Sequence, residues 1–322
     1  MKHYFFVIAS IIGIYSNTYA QVTEAEKKLR TADADTVIGW KKGGIVSLNF
    51  SQASFNNWAA GGQNSISANG LISVFANYKT KNSSWENMLD MGYGVLRQGK
   101  KANFIKTDDK IDFSSKYGKN ASKAWYYAAL LNFKTQLTAG YNYPNDSVKI
   151  SNLLAPAYLL GAIGMDYKPN ASFTCFVAPL TVKTTIVNDQ TLANAGAFGV
   201  TAAVLDANNQ IITPGEKMRN EVGGYLKMVY KKELFKDKSV SILSKLDLFS
   251  NYLNNPENID VSWETIIGFK VNKYISATIT THIVYDDDIA INVDNNSDGI
   301  IDAVGPRTQV KEVLGIGFSY KF

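Results

Sequence analysis

Three features of the sequence predict an all-β fold, a transmembrane antiparallel up-and-down β-barrel of about 12 strands. Segments of roughly ten residues alternate apolar with polar side chains. The connections between these segments alternate between short and long. After residue 20 no apolar stretch is long enough for a helical membrane span, although 46% of the chain is hydrophobic. A closed barrel satisfies all three features, because it pairs every backbone group within the sheet.

The first twenty residues have the features of a secretory signal peptide. A basic start, Met1-Lys2-His3, precedes an apolar run from Tyr4 to Tyr15, and Thr18-Tyr19-Ala20 forms a small-x-small cleavage site. The apolar run is shorter than the about 20 residues of a helical span. We therefore expect residues 1–20 to be removed, and residues 43–322 to form an outer-membrane barrel.

Residues 21–42 are expected to form a short periplasmic N-terminal segment. Val22, Ala25 and Leu29 have a spacing compatible with a helix. The polar composition of this segment is equally compatible with a disordered tether.

Period-two alternation predicts twelve strands. In one of them Trp263 and Ile267 share a face, while Ser262 and Glu264 face the other way. The twelve segments lie near 43–52, 65–79, 85–97, 107–117, 123–136, 156–167, 172–184, 219–232, 239–250, 259–271, 274–285 and 309–322. The alternatives are a β-sandwich, whose strands are usually about 5 to 6 residues long, and a helical repeat.

Connection lengths predict the orientation of the barrel, because periplasmic turns of such barrels are short and outer loops are long. The short connections lie near 80–84, 118–122, 168–171, 233–238 and 272–273. The long ones lie near 53–64, 98–106, 137–155, 185–218, 251–258 and 286–308. This alternation predicts that both termini are periplasmic. Trp85, Tyr117, Trp125 and Tyr167 fall beside short turns and are expected to form an interfacial girdle.

The last thirteen residues alternate strictly and end on Phe322. Leu314, Ile316 and Phe318 share the face expected to contact outer-membrane lipid, and Lys311 and Gly315 share the other. The terminal aromatic residue resembles the C-terminal recognition signal of bacterial outer-membrane proteins. We therefore expect the barrel-assembly machinery to bind this strand.

Composition argues against other classes of protein. Cys175 is the only cysteine, which excludes an internal disulfide and a cysteine-rich metal site. The formal charge of +5 is modest, and no basic cluster is interleaved with stacking aromatics. No nucleic-acid partner is therefore expected.

Several motifs make the chain similar to an uncharacterised Bacteroidota outer-membrane β-barrel family, a domain of unknown function. The resemblance covers nearly the whole chain after residue 20, and it implies fold and location but no activity. The motifs include Gly39-Trp40-Lys41-Lys42-Gly43-Gly44, Asn57-Trp58-Ala59-Ala60-Gly61-Gly62, Lys106-Thr107-Asp108-Asp109-Lys110, Gly140-Tyr141-Asn142-Tyr143-Pro144 and Lys183-Thr184-Thr185-Ile186-Val187-Asn188-Asp189-Gln190.

The two-residue alternation of the strands predicts that charged side chains of both signs face the lumen. Two interpretations stay open: an internal network of ion pairs that fills the barrel, and a solute path with tuned charges. The predicted lumen residues are Asp90, Lys110, Asp112, Lys116, Lys134, Asp247, Glu264, Lys270 and His282.

No catalytic residue is assigned. His282 is the only histidine left after signal-peptide removal, and a barrel enzyme would need a nucleophile and an orienting group beside it. No motif identifies such a set, so we expect a hydrogen-bonded lumen histidine.

One loop carries a metal-like motif. Asp294, Asn296, Asp298, Ile300 and Asp302 occupy the first, third, fifth, seventh and ninth positions of a hard-cation loop, with a glycine at the sixth. Gly305 stands at the twelfth position, where an EF-hand has glutamate. The loop is a candidate Ca²⁺ site, the alternative being a solvated acidic loop, and no other cofactor is expected.

Two outer loops are candidates for recognition. Residues 51–62 carry Trp58 and are expected either to pack into the lumen or to contact a partner. Residues 185–218 include an apolar stretch from Ala193 to Leu205, which predicts a hairpin or cap that could bind a ligand or an envelope protein.

The sequence thus predicts a monomeric outer-membrane barrel with three candidate functions. The first is a narrow or gated passive channel for small solutes. The second is a structural, envelope-assembly or partner-binding barrel with an occluded lumen, and the third is a lipid-modifying enzyme.

Overall fold

Twelve long strands form one closed antiparallel barrel, which confirms the predicted fold class and strand number. The computed structural model describes residues 38–55, 63–99, 103–143, 145–235, 239–272, 275–293 and 302–321. The predicted signal peptide and most of the predicted periplasmic segment lie outside these ranges.

Six short strands in the loops accompany the twelve long ones. In chain order the strands are β1 (Gly39–Ala53), β2 (Ser65–Lys79), β3 (Ser83–Gln98), β4 (Ile105–Ser122), β5 (Trp125–Thr135), β6 (Gly140–Tyr141), β7 (Lys149–Ser151), β8 (Ala157–Asn170), β9 (Phe173–Ile186), β10 (Val204–Leu205), β11 (Ile211–Thr213), β12 (Met218–Leu234), β13 (Val240–Asn251), β14 (Ile259–Lys270), β15 (Ile275–Tyr285), β16 (Ile291–Val293), β17 (Ala303–Gly305) and β18 (Gln309–Lys321). The short pairs β6–β7, β10–β11 and β16–β17 form three separate hairpins. Only the loop that contains β10–β11 was predicted to form a hairpin or cap, because two or three residues are too few to display a period of two.

The barrel begins earlier than the predicted boundary at residue 43. Strand β1 starts at Gly39, and Trp40 pairs with Tyr78 of β2. The polar pair Lys41-Lys42 hid this start, because it interrupts the alternation on which the prediction depended. By contrast, β2 has the predicted bounds.

The barrel closes where the first strand meets the last. The ladder between β1 and β2 contains fifteen residue pairs, from Gly39↔Lys79 to Ala53↔Ser65. Among the described residues, the ladder between β1 and β18 contains five pairs, from Ile45↔Lys321 to Asn49↔Gly317. This short ladder is called the seam below.

The two ends of the barrel differ as predicted from the connection lengths. One end, the short-turn end, carries the tight connections and both ends of the described chain, Gly39 and Lys321. The other, the loop end, carries the long connections and the three hairpins.

The outer face of the barrel is apolar. Leu48, Ile163, Leu314, Ile316 and Phe318 are each about 60% exposed or more. Large apolar side chains in such numbers on one surface are typical of contact with lipid rather than water. Among the residues that the structure describes, no helix has the length and apolarity needed to cross a membrane.

Aromatic side chains gather at the short-turn end. The Trp40 ring lies 5.2 Å from that of Tyr78 and 6.1 Å from that of Trp85, and the Trp125 ring lies 4.7 Å from that of Tyr167. Three of the four predicted girdle residues, Trp85, Tyr117 and Trp125, are exposed, while Tyr167 is half-buried. This arrangement suits the headgroup level of a membrane.

Candidate functional site: the barrel interior

The barrel encloses a central cavity of about 410 Å³. Eight of the nine predicted lumen residues line it: Asp90, Lys110, Asp112, Lys116, Lys134, Asp247, Glu264 and His282. The ninth, Lys270, lies at the short-turn end of β14, where its backbone N–H donates to the carbonyl of Ser239, and it does not line the cavity.

Charges in the middle of the barrel are paired across neighbouring strands. Lys227 lies 2.8 Å from Asp247, which also accepts a hydrogen bond from the Tyr225 hydroxyl. Lys245 lies 2.8 Å from Glu264, with Lys110 3.6 Å from the same carboxylate. Pairing of this kind lets charged groups persist away from bulk water.

A second group of ion pairs lies nearer the short turns. The Asp166 carboxylate, with the residue 1% exposed, is 2.5 Å from Lys116 and 3.4 Å from Lys168. Glu86 is 2.7 Å from Lys168 and 3.6 Å from Lys116. The four side chains therefore form a compact square of alternating charge.

A third group lies at the loop end. Lys183 lies 2.7 Å from Asp260, 3.4 Å from Glu221 and 3.6 Å from Asp286. Arg219 connects this group to the loops, at 3.0 Å from Glu221 and 2.7 Å from Asp288.

A β-bulge explains why Lys183 was missed. Between Ala178 and Thr181, strand β9 contains one more residue than both neighbouring strands. Phe176 and Ala178 are buried before the bulge, and Thr181 and Lys183 are buried after it. The residues that face inward are therefore even-numbered before the bulge and odd-numbered after it. Pro179, which cannot donate to a ladder, is the sequence signal that could have revealed the bulge.

An apolar cluster separates the central cavity from the loop end on one side of the barrel. Phe176, Tyr225 and Phe249 are all at most 8% exposed, and the rings of Phe176 and Tyr225 meet edge-on at 6.3 Å. The Lys183 ammonium lies 4.9 Å from the centre of the Phe249 ring. This cluster narrows the lumen beneath the ion pairs of the loop end.

The connection between β9 and β12 folds into a cap. Its short helix α1 (Gln190–Asn194) buries Leu192 and Ala193 against Val187, Val200 and Ala155. This cluster is the cap predicted for the stretch from Ala193 to Leu205, although Val204 and Leu205 themselves form β10 and are exposed.

The cap reaches over the loop-end ion pairs. Gly199 has a φ of +77°, and a Cβ there would lie 2.7 Å from the Arg219 Nη1 atom and 3.1 Å from the Asp288 carbonyl oxygen. Only glycine allows this close approach. The cap therefore sits directly on the Arg219–Asp288 pair.

Asp189 fastens the cap to the neighbouring loop. Its carboxylate accepts hydrogen bonds from the Lys149 ammonium at 2.6 Å and the Asn152 amide at 3.0 Å, and it caps α1 through the N–H groups of Thr191 and Leu192. The ammonium of Lys149, with help from Asn152, lowers the pKa of Asp189 to about 2. The cap thus depends on a carboxylate that stays ionised at neutral pH.

A second cavity, of about 240 Å³, opens at the short-turn end and is called the short-turn cavity. Lys231 and Thr174 line both this cavity and the central one. Lys231 is 6% exposed. The two cavities therefore meet at a lysine.

His282 makes the hydrogen bond expected of a lumen histidine. Its Nε2 atom lies 2.9 Å from the Ser262 Oγ atom on β14. Both residues line the central cavity, on the side of the sheet away from the apolar outer face.

The predicted calcium loop lies outside the described residues except for Asp302. Asp294, Asn296, Asp298 and Ile300 all fall outside the described ranges. Within the described ranges, no group of three or more histidine, cysteine or acidic side chains is arranged to hold a metal ion. Trp58, the predicted recognition residue of the first outer loop, also falls outside them.

Known proteins provide three comparisons. The profile of a family described as "Protein of unknown function (DUF3078)" matches residues 50–141. No curated protein matches the chain.

Solved structures include similar barrels. An outer membrane channel from Pseudomonas putida F1 aligns with a TM-score of 0.40 and 10% identity, over 89% of this chain and 97% of the other. The translocator domain of autotransporter NalP from Neisseria meningitidis aligns with a TM-score of 0.38 and 9% identity, over 94% and 100%. At these TM-scores neither protein says anything about what this barrel does.

Proposed function

We propose that this protein is an outer-membrane barrel that acts as a narrow, gated passive channel for small solutes. The observation that carries the proposal is the pair of cavities inside the barrel, which share Lys231 and Thr174 as lining residues. A lumen built only to be filled would not need two cavities lined by charged side chains, one of them at an end of the barrel.

The apolar outer face and the aromatic side chains of the short-turn end support a position in the outer membrane. In our proposal the short turns face the periplasm, so that both termini are periplasmic and the barrel-assembly machinery binds β18. The signal peptide at residues 1–20 and the resemblance to Bacteroidota barrels fit the same location.

The gate in this proposal is the cap. It covers the loop end through Gly199, and the ion pairs of Lys183 and Arg219 and the ring of Phe249 lie beneath it. Solutes would pass when the cap moves away from Arg219. Catalysis forms no part of the proposal, although the hydrogen bond between Ser262 and His282 is the contact that a nucleophile and its base would make.

Planar-bilayer recording tests the channel and its gate together. A variant with residues 189–215 replaced by a short Gly-Ser linker lacks the cap and should show larger or more frequent openings than the wild type. The matched control shortens only the exposed tip between β10 and β11, residues 206–210, and should behave as the wild type does. If both the wild type and the capless variant insert and stay silent, the channel proposal is wrong.

A partner-binding barrel is the second candidate, and the β10–β11 hairpin favours it. Val204, Leu205, Ile211 and Ile212 are each at least half exposed at the loop end. Exposed apolar residues on a hairpin are typical of a contact surface. Replacing Ile211 and Ile212 by serine should release any co-purifying envelope protein, while channel openings stay unchanged.

A further inference from the structure

The short-turn cavity differs in charge from the rest of the interior. Lys79, Lys81, Lys168 and Lys231 line it, and none of the described residues that line it is acidic. The central cavity, by contrast, is lined by side chains of both signs. The short-turn cavity is thus the one basic chamber among the described cavities.

Carboxylates on the side of the central cavity hold Lys168 in place. Lys168 donates to Glu86 at 2.7 Å and lies 3.4 Å from Asp166, and both acids belong to the wall of the central cavity. Lys168 also lies 5.5 Å from the centre of the Tyr126 ring. Its position at the border is therefore fixed before any ligand arrives.

Neutral hydrogen-bond donors complete the wall. Asn82 and Asn120 line the cavity beside the lysines. The turn that carries Asn82 is fixed by Thr80, whose hydroxyl lies 2.8 Å from that of Ser83, and by the Asn120 N–H, which donates to the Asn82 carbonyl at 2.8 Å. Ammonium, amide and hydroxyl groups on a fixed wall are the donors that oxyanions bind.

The loop end has the opposite character. A small pocket there is lined by Glu221, Asp260, Asp287 and Asp288 together with asparagines. An anion is repelled by this pocket and attracted by the lysines of the short-turn end. The charge distribution therefore favours entry of anions from the short-turn side.

We propose that the short-turn cavity binds small oxyanions of the phosphate type, with Lys81 and Lys231 as principal ligands. A volume of about 240 Å³ has room for such an anion with some of its water. The inference rests on the proposed function, since it names the class of solute that the channel would take up at its periplasmic end. Binding itself does not require conduction, so the two can fail separately.

Calorimetric titration of inorganic phosphate into the folded full-length mature protein in a non-ionic detergent tests the site. Lys81→Gln should weaken phosphate binding about tenfold, the loss expected for one hydrogen bond to a charged group. Lys231→Met should weaken phosphate binding by a similar factor. Because Lys231 is buried, its variant could misfold, whereas Lys81 is exposed and its variant still tests the site. Lys119→Gln is the matched control, because Lys119 is an exposed lysine of the same end that does not line the cavity.

A second arm distinguishes a free oxyanion from a lipid headgroup. Phosphate affinity should be equal in nanodiscs of phosphatidylcholine and in nanodiscs that contain phosphatidylglycerol. Competition by phosphatidylglycerol would overturn the proposal, as would the absence of phosphate binding or an equal loss in Lys119→Gln. Phosphate binding by a barrel that never conducts would refute the channel and leave the site standing.

Discussion

The Nζ atom of Lys183 on β9 lies 2.7 Å from the Oδ2 atom of Asp260 on β14, across the inside of the barrel. The two strands are separated in the sheet by β12 and β13, so the contact spans the lumen rather than a ladder. The curvature of the sheet across β9, β12, β13 and β14 brings these residues together.

Lys183→Met should destabilise the protein by about 3–5 kcal/mol, because it leaves Asp260 and its acidic neighbours without their central cation. Urea unfolding of the detergent-folded barrel measures the loss. Lys217→Met, an exposed lysine at the same end, should change the free energy of unfolding by less than about 0.5 kcal/mol. Equal losses in the two variants would show that the Lys183 pair contributes nothing specific.

Gly164→Ala tests the bulge in β9. A Cβ at Gly164 would lie 2.0 Å from the Val177 carbonyl oxygen, whereas one at Gly161 of the same strand meets nothing within 4 Å. The alanine should therefore cost about 1–3 kcal/mol at position 164 and little at position 161. Urea unfolding of the two variants measures this difference. If Gly164→Ala costs no stability, β8 and β9 separate easily at this position.

Acid should loosen the cap. The pKa of Asp189 is about 2 in the folded protein, against an ordinary value of 3.8, so its contribution is fully present above about pH 4. This contribution is lost as the pH falls towards 2, because the protonated carboxyl no longer pairs with Lys149. The protection of amides in residues 188–217 against hydrogen exchange, measured relative to their intrinsic exchange rates at each pH, should fall over that window.

Asp189→Asn separates this carboxylate from general acid effects. The asparagine keeps a side-chain oxygen that can accept from the N-terminal N–H groups of α1, but it loses the charge. The amides of residues 188–217 should therefore already be poorly protected against hydrogen exchange at pH 7, and their protection should depend less on pH. Asp146→Asn, an exposed acid in the adjoining loop, should leave the wild-type profile intact. A profile unchanged by Asp189→Asn would assign the effect to another group.

Calcium binding is expected from the sequence motif at Asp294 to Asp302. Isothermal titration of the folded protein should yield a dissociation constant of about 10⁻⁴ to 10⁻³ M, as for weak extracellular sites. The double variant Asp294→Asn and Asp298→Asn should abolish the heat. Asn295→Ser, a change between two ligand positions, should retain it, and the absence of wild-type binding would leave a solvated acidic loop.

The sequence was sufficient for the strands and for most of the central cavity, because alternation determines which side chains face inward on a regular strand. Asp112, Glu264 and His282 follow this rule. Lys183 does not, since the bulge at Pro179 shifts its parity. Arg219 lies at the start of β12 and Asp288 lies in the loop after β15, where their partners depend on how the loops fold. The position of Lys231 between two cavities could be recognised only from the three-dimensional structure, because nothing in its local sequence distinguishes it from other lysines.

The seam between β1 and β18 has a mechanical consequence. Its five residue pairs join segments from opposite ends of the chain, whereas the fifteen pairs of β1 with β2 join neighbours in sequence. Contacts between such distant segments carry the largest chain-closure entropy, and few hydrogen bonds offset it here. An optical-tweezers experiment that pulls on the two termini should therefore unzip the seam at the lowest force and peel the outermost strands away while the opposite wall, built from β5, β8, β9 and β12, remains intact.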